Sequence, residues 1–313
     1  MWDPREVVAV VNPAAGSGRV GRRWSTLEPA LRERLGPIQF RLTEHADHAS
    51  ALAADAVAAG ARTVLSLGGD GTHGAVVDGI MSTNSPPGAV ALGLLPAGTG
   101  GDLCRVVSTG RELLPAAERM PAAKSTLIDV GHVSHALPGG GDAQRHFVNV
   151  SAVGISGLVD RLVSRSSKRL GGTVTFYLAT LRALAVYRPA ALRLVLDGFD
   201  LGTHSVTNVV VCNSRYAGGG MLFAPDARLD DGLLDVVVFR HVSAATTIAM
   251  SRQIYAGTHA EAPTVSVHRG AVLSVEPVGP EPVWLDTDGE VPGIAPVRYT
   301  VRPKAIRLLG LSA

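Results

Sequence analysis

The sequence predicts two domains, an α/β domain built on a parallel sheet over residues 1–125 and an antiparallel, β-rich, sandwich-like domain over 126–295. Three observations carry this. The 313 residues exceed what one hydrophobic core of ordinary size holds. The first third alternates short apolar runs with helical patterns. From about residue 126 that rhythm gives way to period-two alternation punctuated by turn residues.

In chain order, Val7 to Val11 reads as a buried strand, and Trp24, Leu27, Leu31 and Leu35 recur at spacings of three and four, one face of an amphipathic helix. Gln39 to Leu42 is a second strand, Ala46 to Ala59 a helix and Thr63 to Leu67 a third strand. Thr72 to Met81 is again a helix, followed by a fourth strand, Val90 to Leu94. Strands apolar on both faces in repeated βα units imply a parallel sheet covered on both sides.

Beyond this point the strands are Thr126 to Val133, His146 to Ser151, Leu192 to Leu196, Val206 to Cys212 and Leu234 to Phe239, then Thr264 to Val267, Val272 to Val275, Val283 to Asp286 and Arg298 to Val301. Thr173 to Val186 and Ala244 to Tyr255 are helical inserts. The loop tip Leu137-Pro138-Gly139-Gly140-Gly141 separates two strands.

Composition excludes several classes. With 29 Lys and Arg against 27 Asp and Glu the net charge is +2, so no basic field marks a nucleic-acid partner. The densest basic patch, Arg161, Arg165, Lys168 and Arg169, is either a solvated helix face or a contact for anionic headgroups. Cys104 and Cys212 stand far apart with no metal-ligand spacing, which fits a reducing, cytoplasmic compartment. The N-terminus enters a strand at once, without a signal peptide, and no apolar stretch approaches the roughly 18 residues of a membrane span.

Three glycine-rich loops follow strands: Asn12-Pro13-Ala14-Ala15-Gly16-Ser17-Gly18, Gly68-Gly69-Asp70-Gly71-Thr72, and Pro96-Ala97-Gly98-Thr99-Gly100-Gly101-Asp102. Open parallel sheets bind ligands at the carboxyl ends of their strands. Glycine lets backbone N–H groups approach a phosphate, and a helix N-terminus adds favourable partial charge. One such loop is explained by a tight turn; three at one end of a sheet favour phosphate binding. None is a Walker A loop or a GxGxxG dinucleotide fingerprint.

Gly68-Gly69-Asp70-Gly71-Thr72 resembles the GGDGT signature of diacylglycerol, sphingosine and related lipid kinases, shared more distantly with NAD kinases and phosphofructokinases. Further matches to the lipid kinase branch run in order: Val11-Asn12-Pro13 with Gly16-Ser17-Gly18, Thr43 before His45-Ala46, Leu95-Pro96 leading into Gly98-Thr99-Gly100, Asn149 before Gly154, Gly218-Gly219-Gly220, Ala224-Pro225 leading into Asp230-Asp231-Gly232-Leu233-Leu234-Asp235, and Asp288-Gly289-Glu290. The chain departs from the family where His73, Gly74 and Ala75 follow Thr72, and where Gly101 replaces an Asn.

The resemblance implies an ATP-dependent kinase that phosphorylates a lipid hydroxyl, diacylglycerol-like or sphingoid, at a membrane surface touched only peripherally. It places Asn12, Pro13, Ala14, Ala15, Gly16, Thr43, Gly68, Gly69, Asp70, Gly71, Thr72, His73, Gly74 and Thr99 at the nucleotide, with Asp70 also near catalytic Mg2+ and phosphate. It assigns a structural magnesium to the Asp231 side chain and the carbonyls of Arg228 and Leu233, and activation of the acceptor hydroxyl to Asp288 and Glu290. It returns a last strand, within 296–313, to the first domain. His45, His48 and His73 read as surface or supporting residues rather than ligands. Phe147, Ile155, Phe176, Tyr177 and Phe223 are candidates for an acceptor crevice. A homodimer is left open. The alternatives are a kinase of a soluble acceptor such as NAD, a catalytically silent nucleotide- or lipid-binding regulator, and a dinucleotide oxidoreductase.

Overall fold

The structure, a computed structural model, describes residues 2–45, 47–98, 100–164 and 172–311. The chain divides into two compact units, Met1–Val130 with Pro303–Ala313, and Gly131–Arg302.

In the first unit the strands are β1 (Val7–Val11), β2 (Gln39–Leu42), β3 (Thr63–Gly68) and β4 (Ala91–Pro96). They pair in parallel in the order β2-β1-β3-β4. All five residues of β1 are buried, as the continuous apolar run requires of a strand covered on both faces. The helices are α1 (Ala15–Arg22), α2 (Trp24–Leu35), α3 (His48–Ala58), α4 (Asp70–Met81) and α5 (Leu113–Arg119). Leu31 and Leu35, one turn apart on α2, are buried against the sheet strands, and Trp24 packs edge-on to Phe40. Helices α3 and α4 approach so closely at Gly79 that a Cβ there would lie 2.1 Å from the Ser50 carbonyl oxygen.

The second unit is antiparallel. It contains the second half of β5 (Ser125–Ala136), then β6 (Asp142–Phe147), β7 (Val150–Gly154), α6 (Ile155–Ser164), α7 (Gly172–Val186), β8 (Ala190–Leu196) and β9 (Phe199–Cys212). The short hairpin β10 (Tyr216–Ala217) and β11 (Met221–Leu222) precedes β12 (Leu234–Arg240), α8 (Ala244–Ala256), β13 (Val265–Gly270), β14 (Val272–Pro277), β15 (Trp284–Thr287) and β16 (Glu290–Leu309). Pairing runs β9-β8-β14-β16-β15-β7 and back to β9, a closed ring that leaves those strands without a free edge. Strands β12 and β13 extend from β9.

Strand β9 explains its own unbroken apolar run. Val209 and Val211 face one core, inside the ring with Phe147, Leu192, Leu285 and Tyr299. Val210 and Cys212 face a second core with Phe223, Val237, Phe239 and Met250 of α8. Successive side chains point to opposite faces, and both faces are buried.

Three expectations change. His146 to Ser151 is not one strand: β6 stops at Phe147 and β7 starts at Val150, because the intervening backbone turns its amides to a carboxylate. The strand expected at Arg298 to Val301 is part of the twenty-residue β16, whose Pro292, Pro296 and Pro303 disguise it. Helices α1, α5 and α6 lie outside the expected elements; α1 contains three residues of positive φ and is helical only beyond them, whereas α6 packs the apolar face of Ile155, Leu158, Val159, Leu162 and Val163, whose spacing is helical. From Pro303 onward β16 belongs to the first unit, where Arg307 and Leu308 pair in parallel with Ala91 and Leu92 of β4.

Candidate functional site

The first glycine loop is held in shape by its own asparagine. The Ala14 N–H donates to Asn12 Oδ1 at 2.9 Å and the Ala15 N–H to the Asn12 carbonyl at 3.1 Å. Gly16, Ser17 and Gly18 then adopt φ of 59°, 58° and 79°, a left-handed reversal that glycine makes cheap. Asn12 Nδ2 donates to Thr72 Oγ1 at 2.9 Å, tying the first loop to the second.

The second loop opens α4 with Gly69 as its N-cap and Asp70, Gly71 and Thr72 in the first turn, where N–H groups lack helical partners. The third loop is fastened to it: Ala97 and Gly98 N–H groups both donate to the Gly68 carbonyl, at 2.7 and 3.0 Å. A Cβ on Gly98 would lie 2.5 Å from Gly69 Cα, and one on Gly16 would lie 2.8 Å from the Ala97 carbonyl oxygen. The three loops therefore converge, in contact that only glycine permits. Thr43, at the end of β2, is buried and donates its N–H to the Val11 carbonyl, so it flanks the first loop. Thr99 lies outside the described residues.

Asp70 is set by the third loop, its Oδ1 accepting the Leu103 N–H at 3.0 Å. A Cβ on Gly100 would stand 2.8 Å from Asp70 Oδ2 and 3.7 Å from Asp102 Oδ2. Two carboxylate oxygens thus lie against Gly100, where a larger residue would be crowded. Asp102 is already paired with Arg105 at 3.2 Å, which leaves Asp70 as the carboxylate that suits magnesium, an ion that takes one or two carboxylates and completes its shell with phosphate and water oxygens. The glycine cradle likewise suits the phosphates of ATP.

His73 is neither a surface residue nor positioned to touch a ligand with its ring. It is fully buried on the inner side of α4, with Nδ1 2.8 Å from Ser66 Oγ and Nε2 3.7 Å from Cys104 Sγ. Burial holds its pKa down to about 4, against the pull of Asp70, so the ring is neutral. Its effect on the loop passes through packing. Gly74 and Ala75 are also buried in α4. His45 and His48 stack on each other at the surface.

In the second unit, Asp288 and Gly289 form the two-residue turn between β15 and β16, with φ of 50° and 84° and with Thr287 opposite Glu290. Positive φ at both central residues suits Asp-Gly. Residues 288 and 290 would share a face if both lay on a strand, but Asp288 lies in this turn, so its direction is set differently. Its Oδ1 accepts N–H groups of Asn149 and Val150, both at 3.1 Å, and its Oδ2 that of Val148 at 3.0 Å. The amide row is itself anchored by Asn213, whose Nδ2 donates to the Val148 carbonyl. Burial pushes the Asp288 carboxyl up to about 7; the three amides and the positive charge of Arg145 act in the opposite sense. Arg145 also pairs with Glu290 at 2.6 Å, so one guanidinium serves both carboxylates.

Behind the turn lies a group that sequence reasoning missed. Asp286 Oδ1 accepts the Gly289 N–H at 3.0 Å, and its carboxyl shares a hydrogen bond with Asp160 of α6. Burial and the neighbouring carboxylate push Asp286 well above the usual range, and burial raises Asp160 to about 6. Asp286 alternates with Leu285 and Thr287 and so reads as an ordinary strand residue; no local spacing links it to residue 160. The folded state keeps protons here, and on Asp288, that the unfolded chain releases near pH 4, so stability falls as pH rises from about 4 toward 7. Melting temperatures are expected to decline between pH 5 and 8, with a shallower decline for Asp160→Asn; parallel declines would dismiss the shared proton.

The acidic loop does not fit a magnesium ion. Asp231 Oδ1 accepts the Leu233 N–H at 3.1 Å, its Oδ2 is hydrogen-bonded to Arg269 Nη2, and the Arg228 side chain pairs with Asp230 at 3.2 Å. A divalent ion on Asp231 would sit against a guanidinium. Of the crevice candidates, Phe147 and Phe223 are core side chains and Ile155 packs with Val159. The side chains of Phe176 and Tyr177, and residues Arg165, Lys168 and Arg169, lie outside the described residues, as does Ala46. No described helix is long and apolar enough to cross a membrane.

Residues 6–133 match the diacylglycerol kinase catalytic domain, and residues 149–310 match the YegS C-terminal NAD kinase beta sandwich-like domain. A diacylglycerol kinase of Mycobacterium tuberculosis is 30% identical over 305 residues, 97% of this chain and 94% of that protein. A diacylglycerol kinase of Bacillus subtilis is 26% identical, with 82% of each chain covered. The fold is shared with the crystal structure of a diacylglycerol kinase from Bacillus anthracis, with a TM-score of 0.70 at 18% identity over 98% of this chain and 97% of that one. From the convergent glycine loops, the closed antiparallel ring and these similarities together, the chain belongs to the diacylglycerol kinase family, with a C-terminal domain of the YegS type.

Proposed function

We propose that the protein transfers the γ-phosphoryl group of ATP to the hydroxyl of a lipid, diacylglycerol-like or sphingoid. The observation that carries the reading is the convergence of three glycine loops on the first turn of α4, beside Asp70 and Asp102. Asn12 to Gly16, Gly68 to Gly74 and Thr43 would hold the nucleotide, chiefly through backbone N–H groups, and Asp70 would hold magnesium. Bound together, ATP and the ion supply the phosphoryl group and neutralise charge on its oxygens.

The acceptor side falls to Asp288. A carboxylate that titrates near neutrality takes a hydroxyl proton more readily than one of ordinary pKa. Three backbone amides fix its position, and Arg145 keeps Glu290 beside the turn without requiring it to act as the base. The buried pair behind the turn keeps that amide and carboxyl framework rigid. Exposed apolar side chains on α7 and α8, among them Leu178, Val186, Ile248 and Tyr255, support peripheral contact with a bilayer carrying the substrate.

The test is transfer from labelled ATP to a panel of dispersed lipids with NAD as a soluble acceptor. Label is expected in one lipid class and in neither NAD nor water. Label confined to NAD would replace the lipid reading with a soluble acceptor, and no label in any acceptor would leave a binding protein.

A further inference from the structure

The acidic loop already contains its own cation. Residues 226–235 carry Asp226, Asp230, Asp231 and Asp235 with Arg228, and Arg269 reaches in from the adjacent strand. Arg228 pairs locally with Asp230 at the surface. Arg269 does something different. Strand pairing sets it directly across from Asp235 in the β12–β13 ladder, with its Nε 3.2 Å from Asp235 Oδ1. The other end of the guanidinium donates through Nη2 to Asp231 Oδ2. One planar group therefore joins a loop carboxylate to a strand carboxylate, and the loop is closed by the Leu233 N–H on the remaining Asp231 oxygen.

We propose that Arg269 takes the place of a structural divalent cation in this loop, so that the second unit folds and holds the segment 226–235 without magnesium. The chemistry of the donors supports this. Magnesium needs oxygens at about 2.0–2.1 Å in near-octahedral arrangement. Both Asp231 oxygens instead face N–H donors, one of which carries a permanent positive charge. Admitting the ion would require expelling the guanidinium, and that would leave Asp235, whose side chain is 5% exposed, without its charged partner. A guanidinium also matches the task geometrically, since its fork can bind two carboxylates at once.

The experiment is thermal melting of the whole protein, without nucleotide, in magnesium chloride and in a chelator, for the wild type, Asp231→Ala and Arg269→Ala. Any response from the Asp70 side of the first unit is common to all three. Asp231→Ala is expected to melt about 2–4 °C below the wild type in both media. Its gain from magnesium should equal that of the wild type. Arg269→Ala uncovers Asp231 and Asp235 together, and oxygen ligands without a counter-charge bind the ion. This variant should therefore fall in the chelator and recover with magnesium, gaining at least about 2 °C more than the wild type. Loss of part of the wild-type magnesium gain in Asp231→Ala would overturn the proposal, because the ion would then have been bound there beside the arginine. Equal magnesium gains for Arg269→Ala and wild type would overturn it too, reducing Arg269 to a surface ion pair. Should Arg269→Ala fail to fold in either medium, the Asp231→Ala comparison decides.

Discussion

Asp288→Asn is expected to lower kcat for transfer to a lipid hydroxyl by about a hundredfold to ten-thousandfold, the range that general-base assistance contributes. An amide cannot accept the hydroxyl proton. The variant should also be less stable, since Asp288 accepts three backbone N–H bonds and an Asn must present its NH2 group to at least one of those donors. ATP affinity, measured separately by calorimetry, should stay near that of the wild type, because the glycine loops of the first unit are untouched. The wild-type rate should climb with pH through about 7 as the carboxyl ionises, and the residual rate of the variant should lack that step. Turnover of the folded variant at the wild-type rate would mean that the carboxylate only closes the turn.

Gly98→Ala should weaken ATP binding by about five- to hundredfold. The added Cβ would lie 2.5 Å from Gly69 Cα, and neither partner is a side chain that can swing away. Overpacking of this kind costs about 1–3 kcal/mol, paid here by separating the second and third loops. Gly139→Ala provides the control, since a Cβ at that loop tip meets nothing within 4 Å. Unchanged ATP affinity in folded Gly98→Ala, beside an unchanged control, would mean that the convergence of the loops serves packing alone.

The parallel strands were readable because each is buried on both faces and so appears as an unbroken apolar run, Val7 to Val11 most clearly. The loops were readable because their glycines mark backbone contacts such as Gly69 with Gly98. What escaped reading depends on partners distant in sequence. Asp286 becomes unusual through burial and through Asp160, and Arg269 through Asp235 across the ladder and Asp231, 38 residues away. His73 reads as a surface or supporting residue, and only the fold shows it inside the core, where Ser66 and Cys104 meet its ring nitrogens. Resemblance suggested the residues of a metal loop, but it carried no information about an arginine on the neighbouring strand.

Strand β16 also fixes the order in which the protein can be completed. Strand β4 is followed in the sheet order by β16, and its partners there are Arg307 and Leu308, more than two hundred positions later in the sequence. During synthesis the four strands from Val7 to Pro96 emerge early, yet one border of their sheet waits for Arg307 and Leu308 to leave the ribosome. Until then β4 offers bare amides and carbonyls to any passing strand, so nascent or truncated chains that stop before Pro303 should depend on chaperones and associate with one another, whereas a chain that includes the whole of β16 caps that border itself.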